Sequence, residues 1–196
     1  MWKLLSYKLS DNLSAYKDGK RIKIIEDKKI NNKDSCNQTS IDLPTHFGTH
    51  IDFPFHFDNN GLKAEDYNPD YFFFYKPQIV HIESELDGKK IINKNHFGMF
   101  DFNSETDFLL IKTGFCNRRY DDVYHNNYPG ISDNLAYYFK KCMPNLKAIG
   151  FDMISLSSPL HGDLGKKAHT EFLINHDILI VEDMDLTELN VGDKID

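Results

Sequence analysis

Cysteine is scarce in this 196-residue chain: Cys36, Cys116 and Cys142 are three, an odd number, and no two stand at CxxC spacing. That excludes a disulfide framework and a zinc ribbon and fits free thiols in a reducing compartment. No apolar run approaches the roughly 20 residues of a membrane span, and the opening MWKLLSYKLSDNLS lacks the apolar region of a signal peptide. The expectation is a cytoplasmic protein with no membrane partner, and the Asn-x-Ser/Thr matches at Asn12 and Asn37 carry no weight. A basic excess is missing too: 23 Lys and Arg face 30 Asp and Glu, a formal charge of −7. Phosphate backbones need a concentrated basic surface, so nucleic acid is not an expected partner. No G-x-S-x-G elbow supports a serine nucleophile. Internal repeats, low-complexity tracts and linkers are likewise absent, and residues 1–196 read as a single domain long enough to bury a core.

What the chain does have is aromatic side chains, with 15 Phe and 10 Tyr, and short apolar runs. PQIVHIE (77–83), FLLIKTG (108–114), LKAIGFDM (146–153) and DILIVED (177–183) have strand length and polar or Gly ends, as buried strands do. SDNLAYYFKKC reads as a helix capped by Ser132 or Asp133, with Leu135, Tyr138, Phe139 and Cys142 on one stripe. GKKAHTEFLIN reads as a second helix, with Ala168, Phe172 and Leu173 sharing a face. The result is a mixed α/β chain with more strand than helix. The polar segment 26–40, EDKKINNKDSCNQTS, reads as a long loop or irregular hairpin, suited to a flap over a site or to a plain surface loop.

One stretch stands apart. HFGTHIDFPFHFD, residues 46–58, places His46, His50, Asp52 and His56 at even positions and Phe47, Ile51, Phe53, Phe55 and Phe57 at odd ones. Period-two alternation predicts an extended chain with an apolar face and an imidazole–carboxylate face. Gly48 and Pro54 argue against a helix. Imidazole and carboxylate together are the ligands zinc prefers and manganese, iron or nickel accept. A lone histidine on an edge strand is ordinarily just wetted; three of the chain's nine on one face point to a metal.

HFGTHIDFPFH also resembles the H-x-G-T-H-x-D-x-P-x-H signature of the cyclase family, and within it the bacterial kynurenine formamidases, which are metal-dependent arylformamidases. LSDNLSAYKDG, LLIKTGF, YPGIS, AIGFDMISLSS and HTEFLINHDILIVEDMDL extend the likeness, more loosely, over most of the chain. The resemblance implies a swivelling β/β/α domain with a barrel-like mixed sheet and outer helices. It implies one or two divalent ions per subunit, zinc in the first instance with manganese as the alternative. His46, His50 and Asp52 would hold one ion, with Asp52 bridging to a second that His169 and Glu182 complete. His56 would be the proton-transfer residue. Tyr16 stands where the formamidases carry a substrate-packing tryptophan.

Read alone, His169 is a core histidine on the buried face of its helix, and Glu182 is a strand-end charge; the resemblance is what turns both into ligands. The interval between them is one residue longer than in the formamidases, and His161 and Asp163 in SPLHGDLG are rival ligands. Asp152 in GFDM either orients a ligand or caps a turn. A bound divalent ion lowers the pKa of water toward about 7 and polarises a carbonyl; a histidine near 6.5 can move the proton. The implied activity is hydrolysis of a C–N amide bond in a small-molecule substrate, an aryl formamide such as N-formylkynurenine, which belongs to tryptophan catabolism. The alternatives are a cyclic imide, isatin-like lactam or lactone as substrate, or a metal-binding domain without turnover. A homodimer or homotetramer is implied as well.

Overall fold

The computed structural model describes residues 3–11, 13, 15–16, 19–82, 85–190 and 193. Its centre is a five-stranded mixed sheet in the order β3-β9-β8-β6-β4. The strands are β3 (His50–Asp52), β4 (Pro77–His81), β6 (Phe108–Lys112), β8 (Ala148–Phe151) and β9 (Leu179–Glu182). The last four run parallel, and β3 joins the edge antiparallel to β9. The four long apolar runs thus contain the four parallel strands, each shorter than its run. The ladder is open, with β3 and β4 as its edges, rather than hydrogen-bonded into a closed barrel.

Parallel sheets need cover on both faces, and alternation along each strand supplies it. Val80, Leu109, Ile111, Ile149 and Ile180 point into the main core. Ile79, Leu110 and Val181 point the other way, against Met184, Leu186 and Leu189. Helix α2 (Asn134–Cys142) covers the main face; Asp133 caps it by accepting the Asn134 N–H, and Leu135, Ala136 and Phe139 are buried. Phe139 meets Phe97 edge-on, with ring centroids 4.9 Å apart. A short helix α1 (Asp122–Asn126) and a two-residue pairing of β5 (Ile91–Ile92) with β7 (Gly130–Ile131) lie beside this core.

Helix α3 (Gly162–Thr170) continues into a wide turn, Glu171–Asn175, that delivers the chain to β9. Its Gly165 lies so close to the preceding loop that a Cβ there would sit 2.0 Å from Ser157 Oγ. That approach lets the helix set His169 over the end of the sheet. The polar segment forms an irregular hairpin, β1 (Lys23–Lys28) with β2 (Gln38–Asp42), exposed along its full length. Its residues do not line the site pocket described below, so the flap expectation finds no support in this arrangement.

Phe139→Ala should lower the unfolding free energy by about 3–5 kcal/mol, the cost of emptying an aromatic core position. Tyr137→Ala, on the same helix but 64% exposed, should change it by less than about 0.5 kcal/mol. Urea unfolding of the two variants checks the contrast.

Candidate metal centre

Strand pairing assembles the first half of the site. His50 lies opposite Glu182 and Asp52 opposite Ile180. Opposed and alternate residues of paired strands face the same way, so His50, Asp52 and Glu182 share one face. The extended chain is shorter than the alternation in 46–58 predicts: only His50–Asp52 is strand, and Pro54–His56 is a tight turn. Pro54 opens that turn, its fixed φ being ready-made for the first helical position. Upstream, Gly48 adopts φ +70°, and a Cβ there would meet Leu9 Cδ2 at 2.7 Å. The left-handed turn folds His46 back over Asp52. The four side chains therefore converge through two turns around a three-residue strand, not along one pleated ribbon.

Asp52 is the focus. It is 1% exposed, yet neither carboxylate oxygen receives a directed hydrogen bond from the described residues. Imidazole nitrogens crowd it instead. His46 Nδ1 is 2.9 Å and His50 Nε2 3.4 Å from Oδ1, and the two nitrogens are 3.1 Å apart. Four ligands held tetrahedrally at 2.0–2.1 Å stand about 3.3 Å from one another, so this triangle has the size of one face of a zinc site. On the other side Asp52 Oδ2 lies 3.5 Å from His169 Nε2, itself 3.5 Å from Glu182 Oε1. His50 Nε2 is 3.7 Å from Glu182 Oε2. Asp52 thus offers one oxygen to each of two donor sets, the second wider than the first. Acceptor-rich and donor-poor around a buried Asp52, with His46 and His56 open to solvent, the cluster fits a divalent cation.

The surrounding groups aim these ligands. His50 Nδ1–H donates to the Gly48 carbonyl at 2.8 Å, and His169 Nδ1–H to the Gly165 carbonyl at 2.8 Å. Each bond turns the Nε2 lone pair toward the carboxylates, as outer partners of metal-bound histidines do. Glu182 Oε1 accepts the Leu156 N–H at 2.7 Å, leaving Oε2 toward His50. Phe57 stacks on His169 with centroids 4.6 Å apart, and His56 lies over His46 at 3.9 Å. His56 also comes close enough to His46 and Asp52 to join them around an ion, so its position serves a ligand as readily as a proton carrier. Tyr16 lines the same pocket, of about 340 Å³, together with His46, His50, His56, His169 and Glu182.

The rival ligands lie elsewhere. His161 Nε2 faces the Lys89 carbonyl at 3.3 Å, and Asp163 is exposed in the first turn of α3. Asp152 caps a turn: its carboxylate accepts from the Thr113 N–H at 2.8 Å and the Gly114 N–H at 2.9 Å. A second buried network escaped the sequence reading. Asp183, next to Glu182, accepts from Arg119 Nη2 at 2.9 Å and from the Tyr124 hydroxyl, all three nearly sealed from solvent. The Thr49 hydroxyl of the motif donates to the Asp183 carbonyl and accepts the Tyr7 N–H. This network ties the His50 turn to the Glu182 strand end. Asp183 stands beside a candidate ligand and was findable; Arg119 and Tyr124, about 60 residues upstream, carry no local signal.

Charge follows the geometry. Burial alone would lower the histidine pKa values, but Asp52 and Glu182 outweigh it, pushing His50 up to about 9 and His169 up to about 10. Burial would raise Asp52, yet the His169, His46 and His50 rings hold its carboxyl well below the usual range. His56 goes the other way, lowered mainly by burial.

Comparison with known proteins agrees with the motif. The family described as "Putative cyclase" matches residues 4–158. A kynurenine formamidase of Geobacillus thermodenitrificans (strain NG80-2) is 31% identical over 159 residues, 81% of this chain and 70% of that protein. One from Bacillus mycoides (strain KBAB4) is 32% identical over 167 residues, 83% and 71%. Among solved structures, a protein described as a potential metal-dependent hydrolase with cyclase activity superposes with a TM-score of 0.72 at 20% identity, covering 96% of this chain and 83% of that one. Isatin hydrolase A of Labrenzia aggregata gives 0.74 at 14% identity, covering 92% and 78%. The family match ends before His169 and Glu182, which therefore rest on the geometry above.

Without a cation, the raised values mean that His50 and His169 gain protons on folding near neutral pH. Their stabilisation is complete below about 6.5 and is lost as pH rises through about 9 and 10. Asp52, held low, stabilises above its ordinary range and loses that contribution on acidification. Cation binding must then expel the ring protons. Zinc titrated into chelator-treated protein at pH 7 should release about one proton for each of the two rings engaged. Calorimetry in buffers of different ionisation enthalpy measures the release; a buffer-independent heat would contradict it.

Proposed function

The chain belongs to the cyclase family, and from that premise we propose that it is a metal-dependent hydrolase that cleaves the C–N amide bond of an aryl formamide such as N-formylkynurenine. The observation that carries the reading is the buried Asp52 carboxylate, unmet by directed donors and ringed by His46, His50 and His169 with Glu182 alongside. His46, His50 and Asp52 would hold one divalent ion, zinc or manganese, and Asp52, His169 and Glu182 a second. Bound there, such an ion would supply Lewis acidity to a substrate carbonyl and to water.

The chain's own residues do the rest. His56, lowered by burial, is neutral at pH 7 and accepts a proton from the attacking water. It then delivers that proton to the leaving nitrogen. Tyr16 and Phe57, both lining the pocket, flank the substrate's aryl group. A second reading, hydrolysis of an isatin-like lactam, is kept alongside it, because the chain shares its fold with isatin hydrolase A. We read the architecture as a swivelling β/β/α domain, supported by the superpositions, and the working unit as a homodimer or homotetramer in the cytoplasm.

Turnover of N-formylkynurenine, isatin and cyclic imides by zinc- or manganese-loaded protein tests the reading. Formate release from the first at a rate above the others is the expected outcome. Failure of all three, with metal bound, would overturn it. His56→Ala should keep its metal and lose about 10²- to 10⁴-fold in kcat. Metal loss in that variant equal to that of Asp52→Asn would make His56 a ligand instead.

A further inference from the structure

A second cavity, of about 390 Å³, lies against the other side of His46 and His56. These two rings, tilted against each other, line both it and the pocket of the candidate metal centre, so the two cavities adjoin across them. The second compartment is mostly apolar, walled by Ile51, Phe53 and Phe55. Ile51 leaves the strand on the face opposite Asp52, and Phe53, the next residue but one, packs its ring against Tyr67 and Phe72. At the rim stands Lys63, its ammonium 4.7 Å from the centre of the Phe55 ring. That seat on an aromatic face settles a flexible side chain over the groove.

Lys63 has no carboxylate partner within 4.0 Å among the described residues. The nearby Asp66 carboxylate is engaged by the Lys63 backbone N–H at 2.8 Å. A single cation at the mouth of an apolar groove, beside the candidate proton-transfer residue, has the chemistry of a selective subsite: an apolar body is buried and one anionic end is held.

We propose that this groove is a second substrate subsite, taking an apolar arm that ends in a carboxylate held by Lys63. The substrate spans both cavities: its scissile amide lies at Asp52 and its acidic arm passes the exposed His46 and His56 rings into the groove. The inference rests on the hydrolase reading for what the other end of the ligand is, and its test does not depend on turnover.

Two probes that differ in charge at the end of one arm separate the outcomes: a formanilide carrying an ortho 3-carboxypropanoyl arm, and the methyl ester of the same compound. Binding of each to the metal-loaded protein is followed by ligand-observed NMR, and hydrolysis by formate release. Wild type should bind the acid more tightly than the ester. Lys63→Met should weaken the acid about three- to fivefold, the scale of an exposed ion pair, and leave the ester unchanged. Lys63→Arg should restore the preference, and salt should erode it in wild type. A change in KM without a change in kcat is expected where turnover occurs. Equal effects of Lys63→Met on acid and ester, or no effect on either, would overturn the subsite even if both are hydrolysed. Discrimination in binding with hydrolysis of neither would keep the subsite and sink the amidase reading.

Discussion

A carboxylate taken out of water with no directed hydrogen bond to meet it is among the costlier things a fold can hold. Asp52 is held that way, and most of the site follows from it. Three imidazoles and a second carboxylate approach it from two strands, a loop and a helix. Without a cation the cluster balances its charge by loading protons onto His50 and His169. With one, the same atoms become a ligand set. The pocket is therefore best understood as a place where protons and a divalent ion compete for one group of lone pairs.

The rest of the molecule keeps those lone pairs aimed. Parallel strands buried on both faces give β9 a rigid seat, so Glu182 emerges from the sheet at a defined height. Two backbone carbonyls, from Gly48 and Gly165, turn His50 and His169. In both places glycine is needed, once for a left-handed backbone and once for the close approach of α3 to Ser157. The Arg119–Asp183–Tyr124 network then locks the motif's Thr49 to the end of β9. Removing one partner of such a buried pair leaves a stranded charge, so this network couples the integrity of the site to that of the core.

Much of this was legible in the residues. Four apolar runs became the four parallel strands, because burial on both faces leaves an uninterrupted signature. Helix α2 was recognisable from its Asp133 cap and the Leu135–Phe139 stripe. In the motif, alternation gave the right shared face for His50 and Asp52, but the side chains of His46 and His56 reach it through turns at Gly48 and Pro54, which period two cannot describe. His169 and Glu182 were ambiguous on their own, since a buried histidine and a strand-end acid are common; only tertiary packing brings them to Asp52. Arg119, Tyr124 and Lys63 were invisible for the same reason. Their roles depend on contacts with residues distant in sequence or on a cavity wall, and no local pattern encodes either.

The direct test is where a cation sits. Crystals of the tag-free protein grown with zinc, with diffraction recorded on both sides of the zinc absorption edge, would locate it by anomalous scattering. The account predicts a strong peak within bonding distance of His46, His50 and Asp52, with any second peak between Asp52, His169 and Glu182. Crystals with no peak against Asp52, its carboxylate instead engaged by protonated imidazoles alone, would contradict it.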